Sequence, residues 1–430
     1  MKKIFLVTFL VLRTFALAKI YIDINQVSSD PFKIAVVEPL SIGGAPESVG
    51  QELKSTLEKD FKQLGIFKCL DSKAFLEDPK KPNFETKDID FSKWALIDAL
   101  GLIKGSVETK NANTVEVYLR FYDVLGKTKI LGKKYQANTS SANIIAHRFA
   151  NEVVKVLTGN PGVFETQIAF ICANPNKEVC VMNFDGSDAK TVTHHSSITL
   201  SPIWDKKNDF LYYTSFAGTK YPHVFRLNPR NNRTEKITKL PGQTIGLSLD
   251  PIQSLLATTL TKDGNAEIYL INTKGNIERR LTTNLNTIDV SARFSPNGEK
   301  IAFVSDRNGS VQIFTMNRDG SGVKQITFKG KNNTSPAWHP SGEKLLFAGM
   351  DTDGKFDIFS VDSEGKTLPV RLTYDTQNNQ EPTWSPGGQL IAFASNRTGK
   401  FQIFTMRPDG SDQKRLHPTT EEQTMPDWQK

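Results

Sequence analysis

Alternating apolar and polar residues fill the second half of the chain in short runs, and these runs return at a fixed period. One marker of the period is a bulky residue before a turn, at Trp204, Leu249, Phe294, Trp338, Trp384 and Trp428. A second marker keeps the same spacing of 44 to 46 residues, at Thr193, Thr238, Thr282, Thr327, Thr373 and His417. A period of this length indicates a solenoid or a propeller built from one repeated unit.

Each unit is predicted to contain four antiparallel strands. In one unit these are Ile288 to Phe294, Lys300 to Ser305, Val311 to Asn317 and Val323 to Thr327. Radial packing of such sheets buries their apolar faces and protects their edges. The segment Phe164 to Thr193 supplies only three strands and Gln423 to Trp428 only one, so together they are expected to complete a blade. The prediction is an all-β, six-bladed propeller.

Before the repeats, β-like and helix-like runs alternate, which is typical of an α/β domain. The predicted helices are Glu47–Leu64, Ser92–Ala99 with Ser92 as its cap, and Ala142–Leu157. The predicted strands are Lys33–Val37, Ile66–Leu70, Gly101–Glu108, Thr114–Asp123 and Lys127–Ala137. The Gly-Asn-Pro-Gly sequence at 159–162 marks the expected boundary, because it can neither continue a helix nor enter a sheet. The α/β domain is therefore placed at 32–160 and the propeller at 161–430.

The first 18 residues have the character of a secretory signal peptide. Lys2 and Lys3 precede an apolar run, and Ala16-Leu17-Ala18 forms a small-x-small cleavage site. The predicted mature protein begins at Lys19, is exported to the periplasm and does not span the membrane, since the apolar run is shorter than the roughly 20 residues that a bilayer requires. Arg13 lies between the apolar run and the cleavage site, so a non-cleaved anchor stays as the alternative.

Composition and charge narrow the functional classes. The chain is 38% hydrophobic and 23% charged, which describes a globular protein. Its formal net charge of +8 falls to +5 when the leader's Lys2, Lys3 and Arg13 are removed, and the remaining basic residues are scattered among acidic ones. No nucleic-acid partner is expected from this pattern.

Three cysteines are too few for a disulfide scaffold. Cys172 and Cys180 flank a turn-rich stretch, so on a hairpin they would face each other. The sequence leaves two interpretations open: a disulfide formed in an oxidising compartment, or two small buried side chains.

The sequence offers no pattern for catalysis. No Gly-x-Ser-x-Gly pentapeptide is present, and the six histidines are dispersed except for His194-His195. Neither an enzyme nor a cofactor is predicted. A propeller enzyme and a glycan-binding propeller stay as the alternatives.

The amino-acid sequences of the repeat and of the domain junction resemble those of the TolB family of the Tol-Pal system. The repeat reads Thr383 to Gly388, Leu390 to Ser395 and Gln402 to Met406, and the junction reads Leu157 to Phe170. The resemblance implies a non-enzymatic periplasmic adaptor that supports envelope integrity and outer-membrane constriction at division. It also implies that the N-terminal segment, here 19–31, contacts the inner-membrane protein TolA and that the propeller holds the lipoprotein Pal, with other envelope proteins left open as further partners.

Two groups of residues are the candidate binding sites. The loops between blades are rich in amide and hydroxyl side chains and are expected to converge on the central channel, where they would meet a Pal-like lipoprotein. These candidates are Gln243, Thr244, Asn286, Asp289, Asn332, Asn333, Thr334, Ser335, Asn378, Asn379 and Glu381.

The second group, Lys19, Ile20, Tyr21, Ile22, Asp23 and Ile24, alternates like a strand at a free terminus. It is expected either to dock on its own domain as an edge strand or to add to the sheet of a TolA-like partner.

Overall fold

The structure is a computed structural model that describes residues 30–78, 81–173, 175–205, 210–284, 286–350, 353–374 and 377–429. It consists of an N-terminal α/β region followed by a six-bladed β-propeller, as the sequence predicts.

The α/β region is one mixed sheet flanked by helices. Its elements are β1 (Phe32–Val36), β2 (Leu40–Ile42), α1 (Glu47–Leu64), β3 (Phe67–Cys69), α2 (Phe91–Leu96), β4 (Gly101–Asn111), β5 (Thr114–Asp123), β6 (Thr128–Asn138) and α3 (Ala142–Thr158). The strand order is β3-β1-β4-β5-β6, with β2 also paired to β4. The strands β1 to β4 pair in parallel and β4 to β6 form an antiparallel meander.

The sequence of helix α1 determines both its buried face and the residue at which it ends. Its buried residues Val49, Leu53, Leu57, Phe61 and Leu64 recur every three or four positions and so lie on one face, toward the sheet and α3. Gly65 then ends the helix with φ of 69°, a conformation that costs least for glycine.

One predicted helix needs a correction. Helix α2 runs from Phe91 to Leu96, and Asp90, not Ser92, is its N-cap residue. The hydroxyl of Ser92 instead donates to the Asp90 carboxylate, a local bond that the Ser-based rule does not anticipate.

The propeller begins with β7 (Gln167–Ala173), β8 (Lys177–Asn183) and β9 (Lys190–Thr191). Five complete four-stranded blades follow. Blade 1 is β10 (Thr199–Trp204), β11 (Leu211–Ser215), β12 (His223–Asn228) and β13 (Arg233–Lys236). Blade 2 is β14 (Thr244–Leu249), β15 (Leu255–Leu260), β16 (Glu267–Asn272) and β17 (Ile277–Arg280). Blade 3 is β18 (Asp289–Phe294), β19 (Lys300–Ser305), β20 (Gln312–Asn317) and β21 (Lys324–Gln325).

Blade 4 is β22 (Asn332–Trp338), β23 (Lys344–Met350), β24 (Phe356–Asp362) and β25 (Val370–Arg371). Blade 5 is β26 (Asn379–Trp384), β27 (Ile391–Ser395), β28 (Gln402–Met406) and β29 (Lys414–Arg415). The last strand, β30 (Glu422–Trp428), pairs with β7 and completes blade 6 in the order β30-β7-β8-β9. The predicted closure is confirmed, and Trp428 seals it as a fully buried side chain whose indole Nε1 donates to Thr166 Oγ1 over 2.8 Å.

The ring has two distinct faces. The first strand of each blade is innermost, and neighbouring inner strands contact each other around the axis. Connections between blades lie at one end of the strands, which we call the loop face. The turns between first and second strands, such as 295–298, lie at the other end, which we call the turn face.

The α/β region packs on the turn face at blades 5 and 6. Lys59 of α1 bonds Asp185, in the turn after β8, over 2.5 Å. The Gln389 side chain donates to the carbonyl oxygen of Pro161 over 2.7 Å, and Phe61 packs edge-on against Phe164. One apolar core therefore runs from α1 and α3 into these two blades.

Candidate functional site: the loop face

The polar residues that open the inner strands form a buried ring. They are Thr199, Thr244, Asp289, Asn333, Asn379 and Gln423, each no more than 2% exposed and each 44 to 46 residues from the next. The ring therefore follows the same period as the Trp and Thr markers. Residues that recur in every blade at fixed burial serve the packing between blades.

Asn333 shows what the ring does. Its side-chain amide donates to Gln312 Oε1 over 2.7 Å and to the carbonyl oxygen of Lys329 over 2.8 Å. Gln312 lies on the third strand of the preceding blade and also accepts from the Thr327 hydroxyl over 2.7 Å. The Thr327 hydroxyl in turn accepts from the Ile313 N–H, so one clasp joins blade 4 to both outer strands of blade 3.

The same clasp recurs at the next junction with a carboxylate at its centre. Asp357 accepts from the Thr373 hydroxyl, from the Asn379 amide over 2.9 Å and from Arg371. Thr327 and Thr373 belong to the Thr marker series, so the second periodic marker of the sequence is a structural hydrogen-bonding position.

Two arginines at the loop face bind residues of the buried ring. Each lies in the connection between the second and third strands of its blade. Arg307 bonds Asp289 over 2.8 Å and lies over the rings of Phe303 and Phe314. Arg397 occupies the same place in blade 5 and donates to Asn379 Oδ1 over 2.9 Å. These cation–π and charged contacts fix the side chains inside the fold.

The predicted Pal-contact residues therefore fall into two groups, those that are buried and those that reach the surface. Thr244, Asp289, Asn333 and Asn379 are buried, which differs from the predicted display of polar side chains to a partner. Their burial arises because the inner strand has already begun at these positions. Partner contact by any candidate residue stays a prediction.

The other candidates reach the surface to different degrees. Asn286 is exposed, whereas Gln243, Asn332, Thr334 and Asn378 are half-buried at the loop face. Ser335 and Glu381 lie further along their inner strands, toward the turn face. Each inner strand has a bulge at this position, where one residue has a positive φ between 51° and 66°. These six bulge residues are Ser201, Gly246, Ser291, Ser335, Glu381 and Met425.

A set of exposed apolar side chains lies in the connections between blades and was not predicted from the sequence. They are Ile198, Ile288, Phe328 and Tyr374, with exposed fractions of 50%, 42%, 69% and 56%. Lys329 and Lys331, both exposed, follow Phe328 in the connection between blades 3 and 4. The sequence pattern that could have predicted them is an apolar residue next to a Thr marker in an otherwise polar loop, as at Thr327-Phe328-Lys329.

Two further predicted sites are placed as follows. Cys172 on β7 and Cys180 on β8 form a disulfide with a Cα–Cα distance of 5.8 Å, within the range such bonds adopt. The segment Lys19 to Ile24, the predicted TolA-contact strand, lies outside the described residues, as does the predicted leader.

Comparison with known proteins identifies the family. A sequence profile described as the TolB amino-terminal domain matches residues 20–130, and one described as the TolB beta propeller domain matches 154–364 and 331–430. The chain belongs to the TolB family. It is thereby a component of the Tol-Pal system.

Relatives and a solved structure agree with this assignment. The chain is 30% identical over 426 residues to a "Protein TolB homolog" of Chlorobium luteolum, covering 97% of this chain and 94% of the relative. It is 37% identical over 261 residues to the "Tol-Pal system protein TolB" of Desulfosudis oleivorans, a match that spans 59% of each chain. The crystal structure of TolB from Acinetobacter baumannii superposes with a TM-score of 0.79 at 24% identity, covering 93% of this chain and 97% of that one. This last likeness confirms the fold.

Within the described ranges, no helix has the length and apolar character needed to cross a membrane.

Proposed function

We propose that this protein is a periplasmic adaptor that holds a Pal-like lipoprotein on the loop face and engages a TolA-like inner-membrane protein through residues 19–24. It works by binding and not by catalysis. Membership of the TolB family and the exposed apolar side chains of the loop face support this proposal.

The apolar side chains carry the proposal because they are exposed on the loop face, where a partner can reach them. Phe328 and Tyr374 are more than half exposed, on neighbouring connections of the ring. Aromatic residues of this kind supply most of the binding energy in protein interfaces, where a few buried anchors are surrounded by a polar rim. The half-buried Asn332, Thr334 and Asn378 would form that rim.

The lysines that follow Phe328 make this surface favour a partner with acidic residues. Lys329 and Lys331 are exposed on the same connection, so the matching patch on the lipoprotein is expected to be apolar with acidic residues at its edge. Because such rim charges act mainly on association, raising the salt concentration should slow association more than it accelerates dissociation.

The decisive experiment replaces one exposed apolar residue on each face. Phe328→Asp on the loop face should weaken binding of the soluble Pal domain from the same organism by at least about tenfold, or about 1.4 kcal/mol. Leu368→Asp is the matched control, because Leu368 is 72% exposed but lies in the turn between β24 and β25 on the turn face. Calorimetric titration of the mature protein measures both, and circular dichroism confirms that both variants are folded.

Equal affinity of the two variants would place the lipoprotein elsewhere. If Leu368→Asp alone weakened binding, the partner would occupy the turn face and the proposal would be wrong.

The proposed TolA-like contact has a separate test. Deleting residues 19–24 should abolish binding of the soluble TolA domain and leave the affinity for Pal within about twofold, since strand addition by a terminus depends on that terminus alone. A scrambled segment of identical composition is the control. Unchanged TolA binding by the deleted protein would reject this part of the proposal.

A further inference from the structure

The connection between blades 6 and 1 on the loop face is held in place by two side chains. The N–H of Ser196 donates to Glu178 Oε1 over 2.8 Å, and the ring Nε2 of His195 lies 2.8 Å from the hydroxyl oxygen of Tyr213. The same connection ends at Ile198, one of the exposed apolar side chains of the loop face. The position of this part of the surface therefore depends on His195 and Glu178.

Glu178 is the clasp acid at this junction, and it lacks the arginine that accompanies other clasp acids. It accepts from the Thr193 hydroxyl over 2.5 Å. Its counterparts Asp357 and Glu267, in blades 4 and 2, each bond an arginine on the fourth strand of their own blade. Glu178 is 7% exposed and forms no ion pair with any residue that the structure describes. Its charge therefore acts on the surrounding side chains without a paired cation.

His195 packs on the kind of aromatic pair that carries an arginine in other blades. Its ring centroid lies 5.7 Å from that of Tyr213 and 5.2 Å from that of Phe225, two rings of the second and third strands of blade 1. In blades 3 and 5 the corresponding rings lie under Arg307 and Arg397. Arginine keeps its charge at every physiological pH, whereas histidine changes its charge between about pH 5 and pH 8. Blade 1 therefore has a side chain at this place whose charge depends on pH.

The surroundings of His195 favour its neutral form. Burial, the largest influence, lowers the pKa of His195; the charge of Glu178 on β8 raises it, and the charge of His194 on the same connection lowers it. Burial also raises the pKa of Tyr213 on β11, so neither this phenol nor Phe225 on β12 adds a charge. Because the packed ring binds a proton less tightly than a solvated histidine, its packing is fully stable above about pH 6.5 and is weakened as the pH falls through the lowered pKa.

Hydrogen bonding acts in the same direction as burial. A neutral imidazole has one N–H, and the bond with Tyr213 uses Nε2. An imidazolium has an N–H on both ring nitrogens. Within the described ranges, no acceptor lies within hydrogen-bond distance of Nδ1 of His195. A protonated ring therefore gains hydrogen bonds with water when it leaves the aromatic pair.

We propose that His195 is a pH-sensitive switch on the loop face. Its neutral ring keeps residues 194–198 in place against blade 1, and protonation releases them, so that Ile198 loses its fixed position and the Pal-like lipoprotein binds more weakly. The release of the connection concerns this chain alone. The effect on the lipoprotein rests on the proposed function, and it follows because ordering a mobile anchor on binding costs free energy that a fixed anchor does not lose.

The release of the connection is tested without a partner. Hydrogen exchange of the mature protein gives the protection factor of the Ser196 amide, and NMR of the ring protons follows the titration of His195. Between about pH 7.5 and pH 5.0 the protection factor should fall by at least about threefold, because the bond from Ser196 to Glu178 breaks when the connection is released.

Three variants assign this response to His195. His195→Phe keeps an aromatic ring but cannot titrate, so its protection factor should change by less than about 1.5-fold over the same range. His194→Gln, at the exposed neighbour, should keep the fall. Glu178→Gln keeps an acceptor for Ser196 but removes the charge that favours the protonated ring, so the titration of His195 should move to lower pH.

The effect on the partner is measured by calorimetric titration with the soluble Pal domain at both pH values. The affinity of the unchanged protein should fall at least about threefold more than that of His195→Phe, since groups that titrate on the partner affect both proteins alike.

The outcomes separate this proposal from the adaptor function. A pH-independent protection factor of Ser196 would overturn the switch, and so would an equal fall in His195→Phe. If His195→Phe does not fold, Glu178→Gln decides, because an unshifted titration of His195 would show that the two side chains are not coupled. If the connection responds to pH but the two proteins lose affinity alike, the effect on the lipoprotein is rejected. The adaptor function itself would be wrong only if Phe328→Asp also left the affinity unchanged.

Discussion

The loop face and the turn face of the propeller are built from the same strands, yet repetition in the sequence has opposite consequences on them. On the turn face the repeated Pro-Gly turns themselves form the surface, as at Asn297, which is exposed. On the loop face the repeated polar residues are buried, as at Asn333 and Asp357, and the exposed residues are those that differ between blades, such as Phe328.

The contrast between the two faces shows how a repeated sequence position should be interpreted. A position that recurs in every blade satisfies a requirement that every blade shares, such as a turn conformation or a bond to the neighbouring sheet. Recognition of one partner breaks the symmetry of a ring, so it is expected at positions that do not recur. The exposed apolar side chains of the loop face meet this condition, and the buried polar ring does not.

The largest expected effect comes from removing what both faces share, the closed ring. Ending the chain after Thr420 deletes β30 and with it Trp428, which is fully buried, and leaves β7 with an open edge. The loss of one buried Trp side chain alone costs about 3–5 kcal/mol, so the propeller should melt cooperatively at least about 10 °C lower. Scanning calorimetry of this chain, with a chain ending after Gln429 as control, measures the shift. A truncated chain that melts like the intact one would show that β30 does not close the ring.

A smaller loss of stability is expected when one side chain is removed, and its size should differ between the two faces. Asp357→Ala removes the shared acceptor of Thr373, Asn379 and Arg371 and should destabilise the protein by about 3 kcal/mol, because buried donors are left unpaired. Asn297→Ala on the turn face should cost less than about 1 kcal/mol, because the side chain is exposed and its bonds are local. Urea unfolding of both variants measures the difference. Equal losses would mean that the clasp contributes no more than a surface turn.

The sequence was sufficient for the architecture because the architecture repeats. The two marker series define the register of the blades, and Gln423 to Trp428 reveals the closing strand. Helix α1 is predicted with the same ends that the structure has, since Gly65 stops it. The short strand β2 was missed because three residues carry too little pattern.

The loop face was less predictable for a physical reason. Asn333 and Asn332 are adjacent and chemically alike, but only the first points into the clasp with Gln312 and Thr327. Where a strand begins decides which amide is buried, and a polar run does not show that boundary.

The turn face has one further feature that the loop face lacks, a buried acid at the junction with the α/β region. Asp60 of α1 is fully buried, and its Oδ2 lies 2.8 Å from Nδ1 of His147, whose ring packs edge-on against Phe184 of the propeller. Its Oδ1 has no hydrogen-bond partner among the described residues. Burial raises the pKa of Asp60 to about 6, although the bond and charge of His147 oppose this; of the more distant charges, Asp185 raises it and Lys59 lowers it.

The smallest expected effect follows from that pKa. Because the folded protein binds the Asp60 proton more tightly than the unfolded chain, whose carboxyl titrates near 3.8, this contribution to stability is present below about pH 4 and is lost as the pH rises to about 6. Between about pH 4.5 and pH 7 the loss should be about 2 kcal/mol, at 1.36 kcal/mol for each pKa unit. Asp60→Asn cannot titrate, so urea unfolding of the two proteins across this range should diverge by that amount, whereas the exposed Asp188→Asn should follow the unchanged protein. Parallel curves for Asp60→Asn and the unchanged protein would mean that Asp60 is already ionised in the fold at low pH, and that the junction tolerates its charge.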